Sequence, residues 1–325
     1  MNATDPGRPV IETMDLTRTF RRRVPGLRRG ELFTAVDRMS FTIAPGESVG
    51  YIGANGAGKS TTIKMLTGIL RPTSGTLRTC GLDPMHQRKD VARRVGVVFG
   101  QRSQLWWDLP LHESFTILGA IHGLSGAAVR ARAAILVEQL EMADTLDTPV
   151  RQLSLGQRMR AEIAAALMHS PDLLVLDEPT IGLDVLSKQR LREFLRRERT
   201  ERGTTLLLTT HDMGDIERLC DRVLVVDHGR LAFDGTLPGL AETVGARRVL
   251  VVDLVAPTKP LHGIPETTLL DSKGNGLRQR LAFDASATTA ARVLAEVSGR
   301  AEVLDLAIEE PDIEDVVRRI YSATR

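Results

Sequence analysis

A glycine-rich segment at residues 53–60 constrains the fold more than any other feature of the chain. It reads Gly53-Ala-Asn-Gly-Ala-Gly58-Lys59-Ser60, which fits the pattern G-x(4)-G-K-[ST]. An apolar stretch at 48–52 precedes it, and the following stretch places Ile63, Leu66 and Leu70 on one helical face. A strand, a glycine-rich loop and a helix in this order are typical of a parallel α/β fold. A chance match to the pattern is expected in only about one chain in a hundred of this length.

The residue types of this segment suit the phosphates of a nucleotide. Glycines let the backbone curl so that several N–H groups point at phosphate oxygens, and the helix that starts near Lys59 adds its positive dipole end. Lys59 supplies a charge for the β- and γ-phosphates, and the Ser60 hydroxyl can ligate Mg²⁺. The sequence therefore predicts ATP and Mg²⁺ as ligands. The ATP-binding residues predicted in this segment are Gly53, Ala54, Asn55, Gly56, Ala57, Gly58, Lys59, Ser60 and Thr61.

Two carboxylates end a second apolar stretch. Leu173-Leu-Val-Leu176 is followed directly by Asp177 and Glu178, and α/β sheets bind ligands at the carboxyl ends of their strands. Asp177 is predicted to hold Mg²⁺, and Glu178 is predicted to polarise the attacking water as general base. In isolation such a pair is more often a polar turn. Beside the phosphate loop, the catalytic interpretation dominates.

One further motif narrows the class of nucleotide-binding protein. Leu153-Ser154-Leu155-Gly156-Gln157 resembles the signature of ABC ATPases, commonly LSGGQ, with leucine at 155 in place of a glycine. Ser154 and Gln157 also have the spacing of a capping box, so the segment could simply cap the helix that follows. Both interpretations are compatible, because a capped helix N-terminus is also an anion site. In the family this end faces the γ-phosphate held by the other subunit of a dimer.

The remaining elements of the family appear in its usual order. The resemblance implies that Gln101 senses Mg²⁺ and the attacking water, that Gly182-Leu183-Asp184 is the D-loop, and that His211 contacts the γ-phosphate. It also implies an aromatic that stacks on adenine: Phe20, with Phe33 as the alternative. The implied catalytic set is Glu178, His211, Gln101 and Lys59. The implied metal ligands are Ser60, Gln101 and Asp177, and the implied contacts to ATP of the other subunit are Ser154, Gly156, Gln157 and Asp184.

The order of apolar and amphipathic stretches predicts the architecture. Strands are predicted at 10–20, 32–43, 48–52, 94–99, 173–176, 205–209 and 222–226, and alternation with helices favours a parallel sheet. Together with the resemblance, which covers roughly residues 10–235, this predicts an α/β P-loop NTPase cassette with a mixed sheet core. Residues of about 102–168 are predicted to form an inserted helical subdomain. The expected domains are the ABC nucleotide-binding domain at 1–235 and a small α+β domain, regulatory or dimer-stabilising, at 240–325.

A narrower resemblance concerns the partner. The segment Gly100-Gln-Arg-Ser-Gln-Leu-Trp-Trp-Asp-Leu-Pro110 and the tail 305–321 look like ATPase subunits of bacterial ABC-2-type exporters of drugs or lipid-like molecules. The resemblance implies a homodimer of nucleotide-binding domains on a separate membrane permease, at the cytoplasmic face of the membrane. No run of the chain approaches the roughly 18 apolar residues that span a bilayer. Trp106 and Trp107 either anchor the permease interface or pack the core of the helical subdomain.

Two other functions compete with transport. One is a soluble ABC ATPase acting on the ribosome or DNA, but such proteins usually carry two cassettes or long coiled coils, and the chain has one phosphate loop and no long heptad run. A formal net charge of only +2 does not indicate nucleic acid binding. The other is a regulator with little turnover, which the presence of Glu178 and His211 disfavours. Two cysteines cannot build a disulfide framework, so Cys80 and Cys220 are expected to be buried or inert thiols.

Overall fold

The computed structural model describes residues 8–22, 31–100, 103–210, 212–243, 247–284, 287–309 and 316–317. The chain divides into two compact units, Met1–Asp234 and Gly235–Arg325. The strands are β1 (Ile11–Arg22), β2 (Glu31–Ile43), β3 (Ser48–Gly53), β4 (Ser74–Thr79), β5 (Val95–Val98), β6 (Leu173–Asp177), β7 (Thr205–Thr209), β8 (Arg222–Asp227), β9 (Arg230–Gly235), β10 (Arg248–Leu254), β11 (Thr267–Lys273), β12 (Arg278–Phe283) and β13 (Val303–Glu309). The helices are α1 (Lys59–Leu66), α2 (Arg88–Ala92), α3 (Leu111–Ile121), α4 (Gly126–Gln139), α5 (Leu155–Leu167), α6 (Val185–Arg202), α7 (Met213–Leu219), α8 (Leu237–Thr243) and α9 (Ala290–Ser298).

A six-stranded sheet forms the centre of the first unit. Its strand order is β5-β6-β7-β3-β8-β9, and the pairs from β5 to β8 are parallel. Every residue of β3 is buried, as expected for a central strand with both faces covered. Because β3 and β6 run in the same direction, the phosphate loop after β3 and the carboxylates after β6 lie at the same edge of the sheet.

A separate three-stranded antiparallel sheet, in the order β2-β1-β4, lies in the same unit. Strands β1 and β2 pair over their whole length, from Ile11 opposite Ile43 to Arg22 opposite Glu31. Ile11 and Leu16 of β1 and Ile43 of β2 are fully buried. This register sets Phe20 directly opposite Phe33.

A helical segment follows β5. Three helices, α3, α4 and α5, pack around a core that includes Leu111, Phe115 and Leu136, each at most 1% exposed. The sequence predicts mostly helical structure from about residue 102, whereas the first helix begins at Leu111. Residues 103–110 have no helix, and Pro110 directly precedes α3 with an extended backbone.

The second unit contains a four-stranded antiparallel sheet in the order β11-β12-β10-β13. Leu250, Val252, Leu281 and Phe283 form its apolar core with the stripe of Val293 and Val297 on α9. The sequence also predicts a helix at 312–321, which lies outside the described residues apart from Val316 and Val317. None of the helices in the described ranges combines the length and the hydropathy of a membrane-spanning segment.

Candidate functional site

The phosphate loop turns sharply into α1 at Gly58. This residue has a φ of +103°, a backbone conformation that residues other than glycine rarely adopt. A Cβ atom at this position would lie 2.3 Å from the carbonyl oxygen of Ala35, on the neighbouring strand β2. The carbonyl of Ala57 accepts a hydrogen bond of 3.1 Å from the N–H of Gly229. Contacts with Ala35 on β2 and with Gly229 therefore fix the conformation of the loop that leads into α1.

Lys59 lies over the loop. Its ammonium group donates to the carbonyl oxygen of Gly53 and, at 3.1 Å, to that of Ala54. Burial lowers the pKa of Lys59, while the carboxylates of Glu178 and Asp177 act in the opposite direction. A partly desolvated cation is an effective partner for phosphate, because charges interact more strongly away from bulk water.

Asp177 and Glu178 are held by β7, the strand next to β6. The hydroxyl of Thr209 donates to Oδ1 of Asp177, and the N–H of Glu178 donates to the carbonyl of Thr209 at 2.9 Å. The hydroxyl of Thr210 lies 3.4 Å from Oε2 of Glu178. Glu178 has a φ of +55°. Such a conformation costs about 1–2 kcal/mol for a residue with a Cβ, and strain of this kind is typical of functional sites.

These groups border one cleft of about 390 Å³, which lies within the size range of ligand sites. Its lining consists of Phe20, Phe33, Ala35, Ala54, Asn55, Gly56, Gly58, Lys59, Ser60, Thr61, Asp177 and Glu178. The structure thus brings together most of the predicted ATP-binding residues and both carboxylates. Gly53 and Ala57 of the loop are buried and are not in the lining.

The two aromatic candidates for adenine stacking both line the cleft. Arg18 places its guanidinium carbon 4.5 Å from the centre of the Phe20 ring, which is within cation–π distance. Phe33 is 54% exposed. Either ring is therefore placed where adenine could stack on it.

Ser60 and Asp177 offer a hydroxyl and a carboxylate oxygen in the same cleft. Magnesium prefers such hard oxygen ligands, and it takes its remaining ligands from substrate phosphates and water. The described part of the chain contains no group of three His, Cys, Asp or Glu side chains that could hold a metal alone. The residues present thus fit Mg²⁺ bound together with a nucleotide.

Gln101 and His211 lie outside the described residues, but the residues next to them reach the site. A Cβ atom on Gly100 would lie 3.1 Å from the carbonyl oxygen of Asp177. Thr210 contacts Glu178, as described above. The sequence places both predicted residues directly after positions that lie beside Asp177 and Glu178.

The signature segment caps α5. Ser154 accepts from the N–H of Gln157 at 3.2 Å, and the side chain of Gln157 accepts from the N–H of Ser154 at 2.9 Å. The predicted capping box is confirmed. Asp184 caps α6 in a similar way, and the N–H of Ser187 holds the pKa of its carboxyl below the ordinary value. Among the described residues that line the cleft, none is Ser154, Gly156, Gln157 or Asp184.

Several features at and near the site were not predicted from the sequence. They include the hydrogen bond from Thr209 to Asp177 and the burial of the carboxylate of Glu162 on α5.

Cys80 and Cys220 are buried free thiols, as expected, and burial raises the pKa of each to about 12.

Comparison with known proteins agrees with this geometry. Residues 36–181 match the family described as ABC transporter. Nod factor export ATP-binding protein I of Paraburkholderia xenovorans is 42% identical over 226 residues, which cover 69% of this chain and 72% of that protein. The daunorubicin/doxorubicin resistance ATP-binding protein DrrA of Streptomyces peucetius is 38% identical over 243 residues, covering 75% and 70%. The ABC transporter ATP-binding protein NatA of Bacillus subtilis is 36% identical over 209 residues, covering 64% and 85%.

Two solved structures resemble the chain in fold. One is an ATP-binding subunit of an ABC transporter, with a TM-score of 0.64, 27% identity, and coverage of 73% of this chain and 94% of that one. The other is a dimeric ATP-binding cassette in a post-hydrolysis state with ADP and Pi, with a TM-score of 0.61, 26% identity, and coverage of 70% and 98%. These structures confirm the fold predicted from the sequence.

Proposed function

The chain belongs to the ABC transporter family, and on that premise we propose that two copies of it clasp ATP–Mg²⁺ between them and drive a separate membrane permease. Binding and hydrolysis of ATP are the activity of this family's ATP-binding subunits. The observation that carries the proposal is the cleft in which the phosphate loop, Lys59, Asp177 and Glu178 meet. An ammonium, a row of backbone N–H groups and two carboxylates are what phosphoryl transfer to water requires.

Within this cleft each group has a distinct task. Lys59 and the N-terminus of α1 neutralise the β- and γ-phosphates, and Glu178 orients the attacking water and accepts its proton. Ser60 and Asp177, with Gln101, would hold Mg²⁺, which supplies charge neutralisation on the phosphate oxygens. His211 steadies the charge that develops on the γ-phosphate. Either Phe20 or Phe33 stacks on adenine.

The second copy supplies the rest of the site. Ser154 and Gly156, at the N-terminus of α5, suit the γ-phosphate, because a helix N-terminus presents free N–H groups to an anion. Gln157 and Asp184 of the second copy contact the same ATP molecule. ATP then holds the two copies together, since its charge takes donors from both, and hydrolysis lets them separate.

The permease is proposed to be of the ABC-2 type, and the chain to act at the cytoplasmic face of the membrane. Relatives named for Nod factor export and for daunorubicin/doxorubicin resistance support an exporter. They favour transport over a role on the ribosome or DNA. We infer an accessory role, regulatory or dimer-stabilising, for the unit of residues 235–325.

The hydrolytic part of the proposal is tested with Glu178→Gln. This change keeps volume and hydrogen-bonding capacity but removes the base, so turnover should fall at least about 100-fold. ATP binding should persist, and size-exclusion chromatography with light scattering should detect an ATP-dependent dimer. Turnover close to that of the wild type would remove Glu178 from its role.

The proposed binding of a permease is tested by substituting Trp106 and Trp107. Trp107 is 50% exposed, and its ring lies 5.6 Å from the guanidinium carbon of Arg158 on α5. Exposed aromatics often anchor interfaces. A Trp106→Ala, Trp107→Ala protein should therefore hydrolyse ATP at the basal rate yet fail to co-purify with its membrane permease. Retention of the complex would exclude this docking surface.

A further inference from the structure

We propose that Asp215, a buried carboxylate on α7, is a positioning residue that holds Glu178 in place for hydrolysis through the hydroxyl of Thr180. The inference rests on the proposed function, because it concerns the base that acts there on the attacking water. The lining of the cleft, as far as the structure describes it, includes neither Thr180 nor Asp215. Both residues would therefore act through the backbone that carries Glu178.

Glu178 begins a tight turn at the end of β6. The N–H of Ile181 donates to the carbonyl oxygen of Glu178 at 3.3 Å, which closes the turn. Pro179 lies inside it, and because its ring fixes φ, one of the bonds between Glu178 and Thr180 cannot rotate. Glu178 itself has a φ of +55°. A residue with a Cβ stays in such a conformation only where the surrounding contacts enforce it, so the turn needs support from outside.

Asp215 supplies a support for this turn. The hydroxyl of Thr180 donates to Oδ2 of Asp215, and the guanidinium of Arg192, on α6, donates to Oδ1 from Nε at 2.7 Å and also from Nη2. Asp215 is 0% exposed and Thr180 is 2% exposed. A buried carboxylate is unfavourable unless its oxygens are hydrogen-bonded, and here each oxygen has a donor. The turn is thus fastened to α7 and, through Arg192, to α6.

A second route connects Asp215 to the side chain of Glu178. The N–H of Asp215 donates to the carbonyl oxygen of Asp212 at 3.0 Å, and the N–H of Asp212 donates to the hydroxyl of Thr210 at 3.0 Å. That hydroxyl lies 3.4 Å from Oε2 of Glu178. Asp215 is therefore connected both to the turn that follows Glu178 and, through Thr210, to its carboxylate.

These contacts bear on the rate of hydrolysis rather than on the binding of ATP. The groups bonded to Asp215 lie outside the phosphate loop, whereas the residue that they support is the base. A general base must lie within hydrogen-bond reach of the water, and a misplacement of about 1 Å can slow a reaction about 100-fold. Loss of the Thr180 hydroxyl would leave a buried oxygen of Asp215 without this donor and would let the turn relax. Glu178 would then be misplaced while the phosphate loop kept its shape.

Two substitutions at Thr180 separate the hydroxyl from the volume of the side chain. Thr180→Val keeps the shape and removes the donor, whereas Thr180→Ser keeps the donor and removes a methyl group. Asp215→Asn removes the charge that Arg192 pairs with. The matched control is Glu198→Gln on α6, because Glu198 is 3% exposed and pairs with Arg132 on α4.

The experiment measures ATP affinity, kcat and melting temperature for the full chain with each change. We expect Thr180→Val and Asp215→Asn to lower kcat about 10-fold with ATP affinity within about two-fold, because a misplaced base slows chemistry rather than binding. Thr180→Ser and Glu198→Gln should keep kcat within about two-fold of the wild type, although Glu198→Gln should melt at a lower temperature. In a Glu178→Gln background, Thr180→Val should cause no further loss of kcat, because the residue that it positions is already inactive.

Four outcomes would overturn the inference: a normal kcat in Thr180→Val or Asp215→Asn, an equal loss in Thr180→Ser, an equal loss in Glu198→Gln, or a further loss of about 10-fold when Thr180→Val is added to Glu178→Gln. If Asp215→Asn fails to fold, the substitutions at Thr180 still decide, since they leave the carboxylate and its arginine in place. The proposed function has a separate readout. Normal turnover in Glu178→Gln alone would overturn the role of Glu178, and this inference with it, whereas inactive Glu178→Gln with fully active Thr180→Val would overturn only the inference.

Discussion

Leu155 lies directly over Gly182, so that the signature segment and the D-loop touch within one chain. A Cβ atom on Gly182 would lie 2.1 Å from Cδ2 of Leu155, and one on Gly156 would lie 3.0 Å from Cδ2 of Leu183. Leu155 is also the residue at which the signature departs from its common form. The leucine side chain occupies the space beside a glycine whose φ is +73°. The leucine side chain at this position therefore packs against the D-loop.

This contact predicts a non-additive pair of substitutions. Gly182→Ala introduces a side chain in a left-handed conformation, which costs about 1–2 kcal/mol, and also a clash with Leu155. In a Leu155→Gly background the clash disappears and the conformational cost remains. Thermal unfolding of the four proteins should give a coupling of about 1 kcal/mol, typical of residues in contact. Additive losses of stability would show that the two residues act independently.

A second prediction concerns the hydroxyl that orients Asp177. Thr209→Val keeps the shape of the strand but removes the donor to the carboxylate, so the concentration of Mg²⁺ for half-maximal ATPase activity should rise about 10-fold. Thr205→Val is the matched control on the same strand, because Thr205 accepts from the N–H of Gly46 at 3.0 Å and lies at the opposite end. The control should lose stability without any change in the requirement for Mg²⁺. An unchanged requirement in Thr209→Val would mean that Asp177 needs no such support.

Local patterns predicted much of the fold and the site. Strand β7 has the predicted bounds, 205–209, because it is a short run of leucines between two threonines. The phosphate loop and the two carboxylates could be predicted because the residues that carry each function are consecutive in the sequence. Strands β4 and β11 were missed, since Ser74–Thr79 and Thr267–Lys273 are mostly polar and are recruited to their sheets by neighbouring strands.

Contacts between distant parts of the chain could not be predicted in the same way. Thr209 and Asp177 are 32 residues apart, and Thr180 and Asp215 are 35 apart. A buried aspartate on a short helix carries no periodic signal that identifies its partner. The contact of Leu155 with Gly182 likewise depends on the backbone path of two separate loops. Such contacts are decided by packing, which a single sequence does not record.

The third prediction distinguishes the two aromatics of the cleft. Stacking of a base on an aromatic ring contributes about 1–3 kcal/mol, so loss of the stacking residue should weaken ATP binding about 10-fold or more. Tripolyphosphate, which lacks the base, should bind equally well to both variants and the wild type. We expect Phe20→Ala to show this selective loss. If Phe33→Ala shows it instead, the adenine contact belongs to Phe33.

The fourth prediction concerns acid stability. His122, which ends α3, stacks on His169, which follows α5, with ring centres 3.8 Å apart. Burial, with help from His122 and Arg132, lowers the pKa of His169 to about 3. The unfolded chain therefore binds this proton below about pH 6.5 while the folded chain does not, so stability is full above pH 6.5 and falls as the pH is lowered toward 3. One such group contributes a slope of about 1.4 kcal/mol per pH unit in that window.

His169→Phe keeps the stack and removes the titration. The free energy of unfolding, measured with urea between pH 6.5 and 4.5, should therefore depend on pH less steeply in the variant by that amount. Parallel curves for the two proteins would assign the acid sensitivity to other groups.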